Sequence, residues 1–160
     1  MWLPEKIISG GQTGADVGGL VGAERCGIPT GGCAPRGYKT ENGPQPILQS
    51  RFGLVAHPSP HYADRTRENV IKSNAVVVFA TRSDSAGTKL TIDLCDKHQK
   101  PWCLLDPEGL NVITELQAFI EQTKPKVLNI AGNRESVSPG IAKRVAAIIE
   151  LAFTANNDQH

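Results

Sequence analysis

The chain has 160 residues, 39% of them hydrophobic, with 16 glycines and 11 prolines. That composition fits one compact domain with its own core and excludes low-complexity disorder over most of the length. Seventeen Lys and Arg against sixteen Asp and Glu leave a net charge of +1, too little to attract a nucleic-acid backbone or an anionic membrane surface.

Lys6 to Ser9 reads as a short apolar strand running into Gly10-Gly11. Thr13 is placed to cap a helix that carries Asp16 in its first turn and runs through Leu20, Val21 and Ala23 to about Cys26, where Gly27 ends it. Ile28-Pro29-Thr30 begins a second strand, and Gly31 to Pro46 reads as one long loop. A short strand is expected at Phe52 to Val55, and the prolines exclude helix from His57 to His61. Asp64 to Ser73 reads as a helix with Val70 and Ile71 facing inward, ended by Asn74. Ala75 to Ala80 is a continuous apolar run, the longest in the chain and typical of a parallel strand buried on both faces. It is far short of the roughly 20 residues of a membrane span. Gly87-Thr88 is expected in a loop before a helix with Leu90, Ile92, Leu94 and Cys95; Pro101 to Leu105 follows as another buried strand. Asn111 to Gln122 places Val112, Ile113, Leu116, Phe119 and Ile120 on one helical stripe. Lys126 to Ala131 is a central strand, and Ser138-Pro139 opens a last helix that buries Ile141, Val145, Ile148, Ile149 and Ala152. The polar tail from Asn156 to His160 is expected to fray. Strands alternating with helices imply an α/β domain over residues 1–160, with right-handed crossovers and a mostly parallel sheet covered by helices on both faces.

Such a sheet binds ligands beyond the carboxyl ends of its strands. Three turns there carry anion-binding residue types: Ser9-Gly10-Gly11-Gln12-Thr13-Gly14, Ser83-Asp84-Ser85-Ala86-Gly87-Thr88, and Ala131-Gly132-Asn133-Arg134-Glu135-Ser136. Glycines let backbone N–H groups approach an anion, the following helix adds positive potential, and Arg134 offers a guanidinium fork. Ordinary βα turns favour the same residues, so one turn alone says little; three in one domain point to a phosphate-sized guest. By this reading Gly11→Asp blocks the ligand and spares the fold. Neither the Walker pattern nor G-x-G-x-x-G is present, which disfavours triphosphate hydrolysis and standard dinucleotide binding. Arg36 and Lys39 in the long loop are second-rank candidates. Arg65, Arg67 and Glu68 either reach the same pocket or sit on an exposed face, and Asp16 is either functional or a dipole partner. His57 and His61 alone make a weak metal pair. Cys26, Cys33, Cys95 and Cys103 form no Cys-x-x-Cys pair and read as reduced, buried small hydrophobes of a cytoplasmic protein. No signal-peptide pattern stands at the start. Neither a G-x-S-x-G elbow nor a Cys/His signature supports a nucleophilic enzyme.

Ser9-Gly10-Gly11-Gln12-Thr13-Gly14-Ala15-Asp16, Gly27 to Gly32, Ala34-Pro35-Arg36-Gly37, Arg65 to Val70, Gly87 to Thr91 and Leu128 to Ser136 occur in an order that resembles the molybdenum carrier proteins. These form a circularly permuted Rossmann-like branch related to the lysine-decarboxylase-like phosphoribohydrolases. The resemblance implies a Rossmann-like fold, a homo-oligomer (a tetramer), and binding and protection of molybdenum cofactor without turnover, in exchange with cofactor-synthesis or molybdenum-enzyme proteins. That cofactor is a molybdopterin whose dithiolene carries the metal and whose phosphate would rest on glycine-rich helix N-termini. The cofactor-binding expectation therefore covers Gly10, Gly11, Thr13, Gly14, Arg36, Lys39, Ser85, Gly87, Thr88, Asn133, Arg134 and Ser136, with no catalytic residue and no protein-held metal. The phosphoribohydrolase relatives carry Gly-Gly-x-Gly-Thr followed by a glutamate, whereas this chain has Ser85-Ala86-Gly87-Thr88-Lys89-Leu90-Thr91. A nucleoside-monophosphate hydrolase or a nucleotide-binding sensor is the alternative.

Overall fold

A computed structural model describes residues 1–154; the tail expected to fray lies outside the described residues. In chain order the elements are β1 (Lys6–Ile8), α1 (Ala15–Arg25), β2 (Thr30–Gly31), β3 (Cys33–Ala34), a 3₁₀ turn (Arg36–Tyr38), β4 (Lys39–Thr40), β5 (Gly43–Pro44), α2 (Ile47–Phe52) and β6 (Val55–Ala56). They continue with α3 (Tyr62–Lys72), β7 (Ala75–Phe79), α4 (Ala86–Lys97), β8 (Trp102–Leu105), α5 (Val112–Thr123), β9 (Val127–Gly132) and α6 (Ile141–Thr154). Five strands form one sheet in the order β2-β1-β9-β7-β8, every neighbouring pair parallel. Helices cover both faces, the α/β Rossmann-like arrangement that the strand–helix alternation predicts.

Period-two alternation in the central strands sorts the core. Ala75, Val77 and Phe79 join Leu128, Ile130 and the apolar stripes of α5 and α6 in the larger cluster. Val76 and Val78 pack on the opposite face with Val70 of α3 and with Leu94 and Cys95 of α4. A third cluster joins Leu20 to Leu48, Phe52 and Leu54. Gly18 lets α1 lie close on α6, since a Cβ there would stand 2.6 Å from the Ala142 carbonyl oxygen.

Several sequence expectations are corrected. Gly14, not Thr13, occupies the N-cap position of α1; the Thr13 hydroxyl instead accepts from the Glu135 N–H at 3.2 Å. The long loop contains β3 and the hairpin β4–β5, whose two-residue strands are too short to show a period. Phe52 ends helix α2, and the strand is only Val55–Ala56; a six-residue helix spans less than two turns and leaves no stripe to read. Ile71 is exposed, because Arg65, Asn69 and Val70 define the inner face of α3. Gly87 and Thr88 lie inside the first turn of α4. β8 is an edge strand paired only with β7, so it is partly exposed rather than buried. Ser138-Pro139 precede α6, whose first free amides are held by the Glu135 carboxylate, accepting from Gly140 N–H and, at 3.1 Å, from Ala142 N–H.

Candidate functional site

The central order β1-β9-β7 sets the three expected turns side by side at the carboxyl rim of the sheet. α1 and α6 leave toward one face and α4 toward the other. The direction therefore switches between β9 and β7, where open α/β sheets bind their ligands. A cavity of about 440 Å³ opens there, between α3 and α4 and over β9, within the roughly 300–1,000 Å³ of small-molecule sites.

In the first turn the backbone N–H groups of Gly10 to Thr13 are taken up within the chain. Gly10 and Gln12 donate to the Asp16 carboxylate, Gly11 to Ser9 Oγ at 3.3 Å, and Thr13 to Gln12 Oε1 at 3.0 Å. A Cβ on Gly10 would sit 1.6 Å from Arg65 Nη1, so the glycine admits a guanidinium rather than an anion. Arg65 pairs with Asp16 at 3.1 Å, both side chains about nine-tenths buried. Burial pushes the Asp16 carboxyl above its ordinary range, and Arg65 and the Gln12 N–H pull it back. Gly11, Thr13 and Gly14 line a different cavity, beside Val17, Leu48 and Phe52. Gly11 has φ +73°, and a Cβ on it would lie 2.7 Å from Leu48 Cδ1. Gly11→Asp therefore attacks the apolar cluster instead of sparing the fold. Gly14, at φ +84°, lets the first turn touch the third, since its Cβ would meet the Asn133 carbonyl oxygen at 2.4 Å.

The second turn is open. Ser85 caps α4, accepting the Thr88 N–H at 3.3 Å. The N–H groups of Ala86 and Gly87 have no partner among the described residues, and a Cβ on Gly87 would meet nothing within 4 Å. Both residues line the cavity, at the positive end of a 12-residue helix. Thr88 lies beneath, 1% exposed, its hydroxyl accepting from Ser85 Oγ at 2.8 Å.

The third turn braces the second. Asn133 Oδ1 accepts from Thr81 and Arg82 N–H, each at 3.0 Å, and its Nδ2 donates to the Arg82 carbonyl and to Ser85 Oγ. Arg134 stands with its guanidinium 5.2 Å from the Tyr62 ring centre; Lys39 Nζ lies 4.6 Å and the Arg65 guanidinium 5.5 Å from the same ring. Three cations thus surround one aromatic wall of the cavity, opposed by Asp16 and by Glu41, whose carboxylate accepts from Ser136 Oγ at 2.7 Å. Burial works against the Glu41 charge, but hydrogen bonds from Ser136 and Thr13 outweigh it and hold its pKa below the ordinary value.

Of the expected residues, Gly10, Ser85, Gly87, Asn133, Arg134 and Ser136 therefore meet in one cavity, with Lys39 beside it. Gly11, Thr13, Gly14 and Thr88 lie behind its wall, and Arg36 lies outside its lining, its N–H bonded to the Ser59 carbonyl. The sequence reading missed Gln12, Tyr62, Thr66, Asn69, Leu90, Thr91 and Asn129, and weighed Asp16 and Arg65 only as alternatives. Two donors of this wall are buried without a partner among the described residues, Gln12 Nε2 and Arg65 Nε. The Gln12 amide cannot be turned round, because its Oε1 accepts from Thr13 N–H and, at 2.9 Å, from Glu41 N–H. An unpaired buried donor costs about 1–3 kcal/mol.

Elsewhere, Glu68 bonds Lys72 at 3.1 Å and, with His57, lines a separate cavity. Among the described residues, no group of three or more His, Cys, Asp or Glu is arranged to hold a metal ion. No helix among them is long and apolar enough to cross a membrane.

A solved structure described as "Putative molybdenum carrier protein" from Syntrophus aciditrophicus SB superposes with a TM-score of 0.87 at 31% identity, covering 95% of this chain and 96% of that one. No curated protein matches the chain. The circularly permutated YpsA SLOG family matches residues 7–153, which includes all three turns of the site and nearly the whole sheet. The chain belongs to the circularly permutated YpsA SLOG family.

Proposed function

We propose that the protein binds and protects molybdenum cofactor, its cargo, and stores or hands it on without turnover, with the terminal phosphate anchored at the start of α4. The observation that carries this reading is the pair of unpartnered amides at Ala86 and Gly87, open to a cavity that also receives Arg65 and Arg134. Helix dipole, two free N–H donors and guanidinium groups favour a phosphate monoester. The description of the structural neighbour as a molybdenum carrier agrees with such a cargo. The metal rides on the dithiolene of the pterin, so the chain need not supply thiolates. A hydrolase would need a free carboxylate near the bond it cleaves. Asp16, the one carboxylate among the described lining residues, is held by Arg65 and two backbone N–H groups. The reading also includes a cytoplasmic homo-oligomer that exchanges cargo with cofactor-synthesis or molybdenum-enzyme proteins.

Titration with isolated molybdenum cofactor, set against a pterin lacking the phosphate, tests this reading. The phosphorylated ligand is expected to bind more tightly, and equal affinities would remove phosphate anchoring. Incubation with nucleoside monophosphates is expected to release no free base; release would turn the reading toward the hydrolase.

A further inference from the structure

Asn129 stands in the middle of β9, an otherwise apolar central strand. Its neighbours Leu128 and Ile130 face the larger core, so its side chain faces the α3/α4 side and lines the floor of the cavity. It is 4% exposed, yet its carboxamide makes no hydrogen bond with any described residue. The two other buried asparagines differ. Asn69 exchanges two bonds with the Cys33 backbone, at 2.8 and 2.9 Å, and Asn133 braces the rim. The Asn129 amide, unlike the donors of Gln12 and Arg65, is open to the cavity, and no partner within the described residues occupies it.

The surrounding groups define what it would take. Thr66 Oγ1 donates its hydrogen to the Tyr62 carbonyl at 2.8 Å and Thr91 Oγ1 donates to the Gly87 carbonyl at 3.0 Å, so both oxygens keep only acceptor capacity for a guest. Leu90 adds an apolar wall for a ring face. Acceptors at Thr66 and Thr91, with an amide at Asn129 that can turn to offer donor and acceptor together, match the edge of an aminopyrimidine-type ring, where N–H donors alternate with acceptors.

We propose that Asn129 is a specificity-determining residue that reads the pyrimidine edge of the guest's ring at the cavity floor, while α4 holds its phosphate at the rim. This rests on the phosphate-anchored pterin reading above. Calorimetry of wild type, Asn129→Leu and Asn129→Asp with three probes tests it: pterin monophosphate, its 2,4-diaminopteridine counterpart and inorganic phosphate. Asn129→Leu is expected to bind both pteridines at least tenfold more weakly, to bind inorganic phosphate within twofold of wild type, and to melt no lower. Asn129→Asp, an isostere that remains informative where the leucine variant fails to fold, offers only acceptors and should change the ratio of the two pteridine affinities at least tenfold. Wild-type affinity for pterin monophosphate in Asn129→Leu, equal loss of all three probes, or an unshifted preference in Asn129→Asp overturns the assignment. Wild type that binds inorganic phosphate but gains nothing from the pterin overturns it alone. Wild type that binds no phosphate-bearing probe overturns the proposed function with it.

Discussion

Gly87→Ala separates what the fold needs from what the guest needs. Gly87 sits in the first turn of α4 and is not in the left-handed region, and a Cβ built on it meets no atom within 4 Å. Nothing in the chain requires a glycine there. Alanine restricts the unfolded chain and favours helix, which stabilises by about 0.5–1 kcal/mol. The lower end applies in a first turn, and at roughly 2–4 °C per kcal/mol for a chain of this size the melting temperature should rise by about 1–2 °C. The same methyl group would project where an oxyanion approaches the Ala86 and Gly87 amides. Losing one hydrogen bond to a charged group costs about 1.5–3 kcal/mol, so phosphate-ligand affinity should fall roughly ten- to more than a hundredfold. Thermal unfolding and calorimetry on the same sample read both effects. A variant that melts higher and binds like wild type would refute anion capture at α4. One that melts lower would refute the open space beside Gly87.

Gly10→Ala should behave oppositely, although the two glycines look alike in sequence. Its Cβ must expel the Arg65 guanidinium and leave Asp16 buried without its partner. Breaking such a pair costs about 3–5 kcal/mol, a fall of roughly 6–20 °C, and an unchanged melting temperature would contradict the packing. Arg134→Ala removes a half-exposed cation at the cavity edge. The fold should be unaffected while ligand affinity falls by about 1.5–3 kcal/mol; calorimetry giving the wild-type value would exclude Arg134 from the site. Burial pushes all four thiols above their ordinary range, Cys95 and Cys103 to about 12. A raised thiol pKa keeps the neutral form as pH climbs, so at pH 8.5, where a free thiol is about half ionised, native protein should alkylate slowly and denatured protein should take four labels. A cysteine that reacts in the native state at the unfolded rate would show that its burial has been misread.

The fold was largely legible because its strands are either continuously apolar, as Ala75–Phe79 is, or preceded and followed by strong punctuation such as Gly27 and Pro101. Helices α5 and α6 are legible by their stripes, fully buried in α6 and buried in α5 at Val112, Leu116 and Ile120, with Ile113 and Phe119 partly covered. Short elements did not, because β3 to β5 and α2 lack the length over which a period shows. The three turns were legible as a set, but not which of their glycines face the guest. That depends on β9 entering the sheet between β1 and β7, a non-local pairing with no local signature. The reason for the glycine at position 10 is hidden in the same way: it lines the cavity, but the group requiring its missing Cβ is Arg65, 55 positions later in the chain. Asn129 did carry a signal, a lone carboxamide in an apolar strand, which period-based reading passes over as one mismatch.

The rim owes its shape to cross-links between turns that are distant in sequence. Gly14 lets the first turn lie against the third, Thr13 accepts from Glu135, Asn133 ties Arg82 and Ser85 to the third turn, and the hairpin joins through Glu41 to Gln12 and Ser136. Each link fixes backbone that would otherwise have to be ordered when a guest arrives, so little ordering entropy remains to oppose binding. Side chains of the cavity wall are committed in the same way: Asp16 is held by Arg65, and Thr66 and Thr91 have their hydrogens committed to helix carbonyls. General acid–base chemistry needs a group free to gain and lose a proton beside the reacting atom, and these three side chains are committed within the chain. On the reading proposed above, Asp16, Thr66 and Thr91 serve to hold the guest in place, and the braced rim spares the cost of ordering it.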